Sequence, residues 1–399
     1  MKPLKVCVIG TGAFSKCFIP LYQSHPLVGE VSLADNHKGR LDAAKEEHGI
    51  QRGFESFEDV LKSDVDAVAI FTQRWTHAPL ALAALRAGKH VYSAVPAATT
   101  LTELDELTAE VKRTGLTYMM GETSLYYGSR LFCKEKWDAG KFGDFVYGEG
   151  EYYHDMSHGF YEAFESTGGP DWKQIASYPP MLYPTHSVSM VLSITGARAT
   201  SVSCLGWTDR TADGVFVPEV SRWQNAFSNQ SALFRTSDGG IMRINEFRRV
   251  GQSGGRSVRL SIYGTEGSFE EQTDGAIWTD RKMWGAEKVE DEVFCDPVFS
   301  HEQWMASHAD NDLRKEFVSR FGKVHEKYRS RLPKSYAGQV NGHEGSHQFL
   351  TDDFLTSIES GRRPTCSVWD AARFNAPGIV AHESSNRDGE SLTIPDYTE

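Results

Sequence analysis

The start of the chain constrains its fold more than any other part: Lys5-Val-Cys-Val-Ile-Gly10-Thr-Gly12-Ala13-Phe14, followed by Val31-Ser-Leu-Ala-Asp35. An apolar run through Val6, Val8 and Ile9 suits a strand buried on both faces. Gly10 permits a tight turn, and Gly12 removes a Cβ where backbone must approach a pyrophosphate. A helix opening near Ala13 would aim its free N–H groups and positive dipole end at that anion. Asp35 stands roughly 20 residues beyond the glycines, where a carboxylate accepts hydrogen bonds from the adenosine ribose. This pattern predicts a dinucleotide site and favours NAD over NADP, although Lys38 and Arg40 lie close enough in sequence to meet a 2′-phosphate. Ser15 occupies the place of the third glycine of such sites and is small enough for close helix–strand packing.

Strand and helix then alternate at α/β spacing to about Thr123. Short apolar strands are expected at Asp64 to Thr72, Lys89 to Val95 and Leu116 to Glu122. Between the first two of these runs a helix with Pro79 in its first turn and Gly88 at its end. The next helix opens with Thr100-Leu-Thr-Glu103, a capping box, and ends near Gly115. The pattern predicts an α/β chain with an N-terminal Rossmann domain over residues 1–124, a doubly wound parallel sheet covered by helices. After a link from Tyr126 to Gly143 the texture changes to alternating strands, at Phe145 to Tyr153, Ala199 to Cys204, Ser231 to Arg235, Gly240 to Asn245 and Val258 to Gly264. Asp238-Gly-Gly240 is a hairpin turn between two of them. Residues 125–399 therefore read as an α+β domain with an open, mainly antiparallel sheet. The segment from about His301 to Lys334 is charged, aromatic-rich and helical in texture, a solvated insertion or a subunit contact. A helix from Ser346 to Ile358 is expected to stop at Gly361 and Pro364.

With 399 residues, two or three domains fit the length. A formal net charge of −12 argues against DNA or RNA as partners. No run of about 18 apolar residues is present to cross a bilayer. The first strand begins almost at the first residue, which leaves no room for a signal peptide and predicts a cytoplasmic protein. Cys7, Cys17, Cys133, Cys204, Cys295 and Cys366 are scattered without a Cys-x-x-Cys pair, so reduced thiols are expected and no zinc or redox motif. His154 and His158 have a spacing that metal ligands use, but no third ligand is identifiable, and loop histidines are the simpler reading.

A nucleotide domain followed by an open-sheet domain, with Ala87-Gly-Lys-His-Val91 leading into a proline-bearing turn, resembles the glucose–fructose oxidoreductase / inositol dehydrogenase (Gfo/Idh/MocA) family along essentially the whole chain. Members usually carry Glu-Lys-Pro at this turn, with the lysine serving the nicotinamide end. Here the turn is Ala94-Val95-Pro96, and valine can neither take a proton from a hydroxyl nor stabilise an alkoxide. Met119-Met-Gly-Glu122-Thr, Tyr152-Tyr-His154-Asp155 and Leu182-Tyr183-Pro-Thr-His186 resemble the NAD-dependent redox glycosidases of the α-N-acetylgalactosaminidase type, a branch that also carries Val-Pro at the turn. Ser187-Val-Ser departs from the glycine-bearing continuation common there. Asn341-Gly-His343-Glu-Gly and Ala376 to Ser384 add further likeness.

The resemblance implies a reaction in which NAD+ oxidises C3 of a sugar, a base removes the acidified C2 proton, the C1 group is eliminated, water adds and C3 is reduced again. His186 is the base expected at the C3 hydroxyl, since an imidazole titrates near 6.5. Tyr152 is the base expected at C2, and a phenol near pKa 10 needs help for that task, from a nearby cation or the positively charged nicotinamide. Tyr183 and Glu122 are expected to position the sugar or relay protons, and His154 and Asp155 to orient Tyr152 or contact substrate. Gly10, Gly12, Ala13, Phe14, Asp35, Thr72, Trp75, His77, Val95 and Pro96 are expected around the cofactor; Trp75 either packs on the nicotinamide or sugar or caps a helix. A sugar or glycoside is the expected small-molecule partner, and the family implies a homo-oligomer, dimer or tetramer. An NAD-dependent sugar or polyol dehydrogenase and a non-catalytic NAD-binding sensor are the competing readings.

Overall fold

Apolar strands buried on both faces can only be satisfied inside a sheet covered on each side, and the first part of the chain folds that way. A computed structural model describes residues 2–252, 256–272, 275–283, 285–294, 321–339 and 341–399. Strands β1 (Leu4–Ile9), β2 (Val28–Ala34), β3 (Gly53–Phe54), β4 (Ala67–Ile70), β5 (His90–Ser93) and β6 (Tyr118–Met120) form one sheet in the order β3-β2-β1-β4-β5-β6. Every pair in it is parallel. Helices α1 (Ile19–Ser24), α2 (Lys38–His48), α3 (Phe57–Lys62), α4 (His77–Arg86) and α5 (Leu101–Thr114) connect the strands. Ile9 pairs with Ala34 on one side and Ile70 on the other, so the carboxyl ends of β1, β2 and β4 finish level. This is the switch point of the strand order, where open α/β sheets bind ligands. The expected capping box starts α5: Thr100 Oγ1 accepts from the Glu103 N–H at 3.2 Å and Glu103 Oε2 accepts from the Thr100 N–H at 3.1 Å. Gly115 ends the helix in the left-handed conformation, at φ 68°.

The second sheet has nine strands in the order β14-β13-β12-β11-β7-β10-β9-β8-β15. Its members are β7 (Phe145–Tyr153), β8 (Ala199–Thr208), β9 (Phe227–Thr236), β10 (Ile241–Phe247), β11 (Val258–Gly264), β12 (Gly267–Gln272), β13 (Gly275–Asp280), β14 (Gly285–Lys288) and β15 (Leu392–Thr393). All neighbours are antiparallel except the central pair β7 and β10, which is parallel. Gly239, at φ 91°, makes the hairpin between β9 and β10. Helices α6 (Gly128–Asp138), α7 (Phe160–Gly168), α8 (Trp172–Ala176) and α9 (Thr185–Thr195) accompany this sheet. Alternation sets its faces: Met242, Ile244, Leu260 and Ile262 are buried with Val188, Val191 and Leu192 of α9, while the opposite face exposes Leu205, Trp207, Leu233, Ile241 and Ile277.

The texture change predicts one boundary at 124/125, whereas the two compact units interleave in sequence. One unit holds Met1–Tyr127, the described part of Asp312–Ala372 and Tyr397–Glu399; the other holds the described part of Gly128–Asn311 and Arg373–Asp396. The expected helix near 346–358 is present as Gly342–Ser360, stopped by Gly361 at φ 67°. It joins the first unit, where His347 lies 4.3 Å from the Phe18 ring. Of the expected helical segment 301–334, residues 301–320 lie outside the described residues; residues 323–329 form two short turns of helix. Cys7, Cys17, Cys133, Cys204 and Cys366 are free thiols, and Cys295 lies outside the described residues.

Candidate active site

In the first unit the glycine loop is held from below. Gly10 has φ 88°, and a Cβ there would sit 2.9 Å from the Phe71 carbonyl oxygen, so no other residue fits the turn. At Gly12 a Cβ would meet no chain atom within 4 Å. Its absence therefore serves something other than the packing of this chain, as a closely approaching pyrophosphate requires. Among the described residues the N–H groups of Gly12 and Ala13 donate to no other group. The helix expected to open near Ala13 starts later: Ser15–Cys17 is a 3-10 turn and α1 begins at Ile19, with Pro20 in its first turn. Ser15 Oγ closes this turn onto the Gly12 carbonyl at 2.8 Å, which is what a side chain at the third glycine position does here.

Asp35 ends β2 beside the loop. Its Oδ2 accepts from the Thr11 N–H and hydroxyl, both at 2.9 Å, and its Oδ1 from the His37 N–H at 2.8 Å and Arg40 Nη2 at 3.2 Å. Burial pushes its carboxyl up, and these four donors outweigh burial and hold it below the ordinary carboxylate range. A ribose hydroxyl reaching Asp35 would displace one donor, and the partly exposed Arg40 has the most freedom to give way. Lys38 is paired with Glu55 at 2.6 Å.

His77 faces inward, with Nδ1 2.8 Å from the Pro96 carbonyl oxygen and Nε2 3.1 Å from that of Thr72. Burial pushes it down to about 4, so it is a neutral brace between the Thr72 loop and the Val95–Pro96 turn, whose peptide bond is cis. Thr72 Oγ1 meets Thr76 Oγ1 at 2.7 Å, and Trp75 sits half-buried in the turn Arg74–Thr76. Phe14 packs edge-on against Phe71, His343 and His347. Glu122 follows β6 fully buried, its Oε1 accepting from the Ser124 N–H at 2.9 Å.

In the second unit four of the expected residues come together. Strand β7 carries glycine at two successive inward positions: a Cβ on Gly148 would lie 2.8 Å from Val191 Cγ1, and one on Gly150 would lie 2.0 Å from the Ser187 carbonyl oxygen. Helix α9 therefore lies directly on the strand. The next inward side chain along β7 is Tyr152, which meets the first turn of α9. Its ring lies 5.3 Å from His186, edge to face, 6.0 Å from Tyr183 and 5.7 Å from His154. Tyr152 and His186 are 7% and 5% exposed.

His154 stacks on Phe160 at 4.0 Å, and His158 is 6.4 Å from it. Asp155 turns to the chain: Oδ1 accepts from the Ser157 N–H and hydroxyl at 2.9 and 2.6 Å, and Oδ2 from the Val250 N–H at 2.9 Å. As placed, it braces a loop. Among the described residues no group of three His, Cys, Asp or Glu side chains is arranged to hold a metal ion.

Residues 4–122 match the family described as "Oxidoreductase family, NAD-binding Rossmann fold", the Gfo/Idh/MocA family. Residues 4–122 are thus an NAD-binding Rossmann domain. Over 99% of its length the chain is 24% identical to a glycosyl hydrolase family 109 protein of Streptomyces niveus, of which it spans 77%. Its fold is similar to that of myo-inositol 2-dehydrogenase from Lactobacillus plantarum, at TM-score 0.70 and 17% identity over 99% of this chain and 100% of that one. It is also similar to levoglucosan dehydrogenase in complex with NADH, at TM-score 0.74 and 18% identity with the same coverage.

In the second unit Glu246 and Arg248, beside Tyr152, are not singled out by the sequence, and Ser187 is noted there only as a departure from the glycine-bearing continuation. Ser187 Oγ donates to Glu246, and Glu246 Oε2 accepts from Arg248 Nη2 at 2.7 Å. Glu246 is fully buried and Arg248 is 5% exposed. The signal that finds them is alternation: Met242, Ile244 and Glu246 share the inward face of β10, where a charge has to be explained.

Proposed function

We propose that this protein is an NAD-dependent, redox-neutral glycoside hydrolase. The observation that carries the reading is the packing of Tyr152 against His186 and Tyr183, in a chain with Val95 where a lysine would serve a simple alcohol dehydrogenase. The family 109 glycosyl hydrolase named above supports it. Bound NAD+ would supply the hydride acceptor for C3 of the sugar and return the hydride at the end, so no net oxidation occurs.

Gly10, Gly12, Ala13 and Phe14 would hold the pyrophosphate and Asp35 the adenosine ribose. Thr72, Trp75, Val95 and Pro96 would line the remainder, with His77 bracing them. His186 takes the proton from the C3 hydroxyl. Tyr152 removes the C2 proton, which the neighbouring C3 ketone makes acidic, and the C1–O bond breaks as the C1–C2 double bond forms. Water adds at C1 as a proton returns to C2. Tyr183 and Glu122 position the sugar or relay protons, and His154 contacts it.

Purified protein incubated with NAD+ and a panel of aryl glycosides, with aglycone release and NADH absorbance followed together, tests the reading. Aglycone release without net NADH is expected. NADH accumulation without aglycone would favour a sugar or polyol dehydrogenase, the activity named for both solved relatives, with His186 as the hydroxyl base. The apolar, strand-lined outer face with Leu205, Trp207, Leu233, Ile241 and Ile277 supports a homo-oligomer assembled through that face.

A further inference from the structure

A phenol near pKa 10 is a poor base at neutral pH, so a tyrosine that removes a carbon-bound proton needs its phenolate stabilised. The parallel register sets Glu246 of β10 beside Tyr152 of β7, and Arg248, two residues on, folds back over the ring. Its guanidinium carbon is 4.6 Å from the Tyr152 ring centroid. We propose that Arg248 is a positioning residue for Tyr152, its guanidinium fixed by Glu246 against the ring face so as to favour the phenolate. The proposal deepens the hydrolase reading and rests on it for the role of Tyr152.

The guanidinium is fixed on several sides. Nη2 donates to Glu246 Oε2 at 2.7 Å, and Nη1 to the Phe247 carbonyl oxygen at 3.1 Å and to that of Tyr152 at 3.4 Å. The Arg248 N–H donates to Asn229 Oδ1 at 2.9 Å. A buried ion pair contributes little net stability compared with apolar residues of the same volume, so stability alone does not account for this one. A cation over an aromatic face is attracted by the ring's electron density, and ionising the phenol raises that density. An opposite charge at this distance shifts a titration by roughly 1–3 units.

Glu246 opposes Arg248. Burial pushes its carboxyl up to about 7, against Arg248, the Ser187 hydroxyl and His186, so near neutral pH its protonation sets how much of the guanidinium field reaches the ring. Among the described residues, His186 and Tyr183 from the start of α9 and the turn before it, and His154 just beyond β7, also face Tyr152. From β11, Val258 is its partner, and Arg259 lies on the other face, over Tyr153 at 4.7 Å.

The test is a pH titration of the full chain labelled with 13Cζ-tyrosine, the Tyr152 resonance being assigned by its loss in Y152F. In R248M the Tyr152 titration is expected to rise by about one unit or more. R248K, which keeps a cation, is expected to stay nearer the wild type. E246Q, which leaves the guanidinium uncompensated, is expected to move it the opposite way, downward. A folded R248M that titrates like the wild type overturns the proposal. If R248M does not fold, an unchanged or raised titration in E246Q overturns it. Because the readout needs no turnover, failure of the hydrolase reading, seen as glycosides left intact, is separable from failure of this one.

Discussion

Tyr152 and His186 are adjacent but are assigned different protons, and single substitutions can separate them. In Y152F, NADH formation in a single turnover is expected to survive, while aglycone release falls by roughly 10²- to 10⁴-fold. In H186A both are expected to fall; an H186A variant that still oxidises the sugar at wild-type rate would reassign the C3 base. His77 makes a prediction about folding. Its pKa is depressed to about 4 in the folded state against 6.5 as the ordinary value, so between those pH values the unfolded chain binds the extra proton. Stability from this group is complete above 6.5 and is lost as pH falls toward 4, about 3 kcal/mol for one fully buried histidine. Urea titrations at pH 7 and pH 4.5 check it: the wild type should lose more stability across this interval than H77Q, and equal losses would contradict the assignment.

Strand β7 and the loop after β1 show that glycine serves two different ends. G12A adds a methyl group into space no chain atom occupies, so unfolding by urea should be unchanged while NAD+ affinity falls at least about tenfold. G150A drives a methyl group into the Ser187 carbonyl, so α9 must lift from β7, at about 1–3 kcal/mol of stability or more. Gly10-x-Gly12 with Asp35 is legible because a strand, a turn and an acid recur at fixed spacing. The same holds for the Thr100 capping box and the Asp238-Gly239 hairpin, where local geometry dictates residue type.

Gly148 and Gly150 are not legible, since in a strand of alternating residues they read as weak packing until a helix is known to lie there. The parallel pairing of β7 with β10 is hidden for a related reason: alternation shows which face a residue takes, not the direction of its neighbour. Alternation with Met242 and Ile244 places Glu246 on the inward face of its strand, but its pairing with Arg248 and Ser187 depends on tertiary packing that local pattern does not show. The helix expected to open at Ala13 starts later because Ser15 closes a 3-10 turn onto Gly12 and Pro20 fits only a first turn.

On the scale of the whole molecule, the interleaving of the two units was beyond local pattern, because the return of residues 341–372 to the first unit depends on aromatic contacts such as Phe18 with His347. The outer face of the second sheet carries its own expectation. Leu233 and Ile241 are 52% and 40% exposed on neighbouring strands, so the proposed homo-oligomer predicts a wild type of dimeric or tetrameric mass by light scattering and a monomeric L233D/I241D double variant. A wild type of monomeric mass would remove that proposal. No helix among the described residues is long and apolar enough to cross a membrane.

The hydrolase account turns on one atom of the product, the hydrogen at C2. Glycoside turned over in deuterium oxide and analysed by mass spectrometry and NMR should carry deuterium at C2 of the released sugar, lost in Y152F, with no net NADH. Full retention of the original C2 hydrogen during turnover would show that the bond at C1 breaks without C2 deprotonation, and would contradict the account.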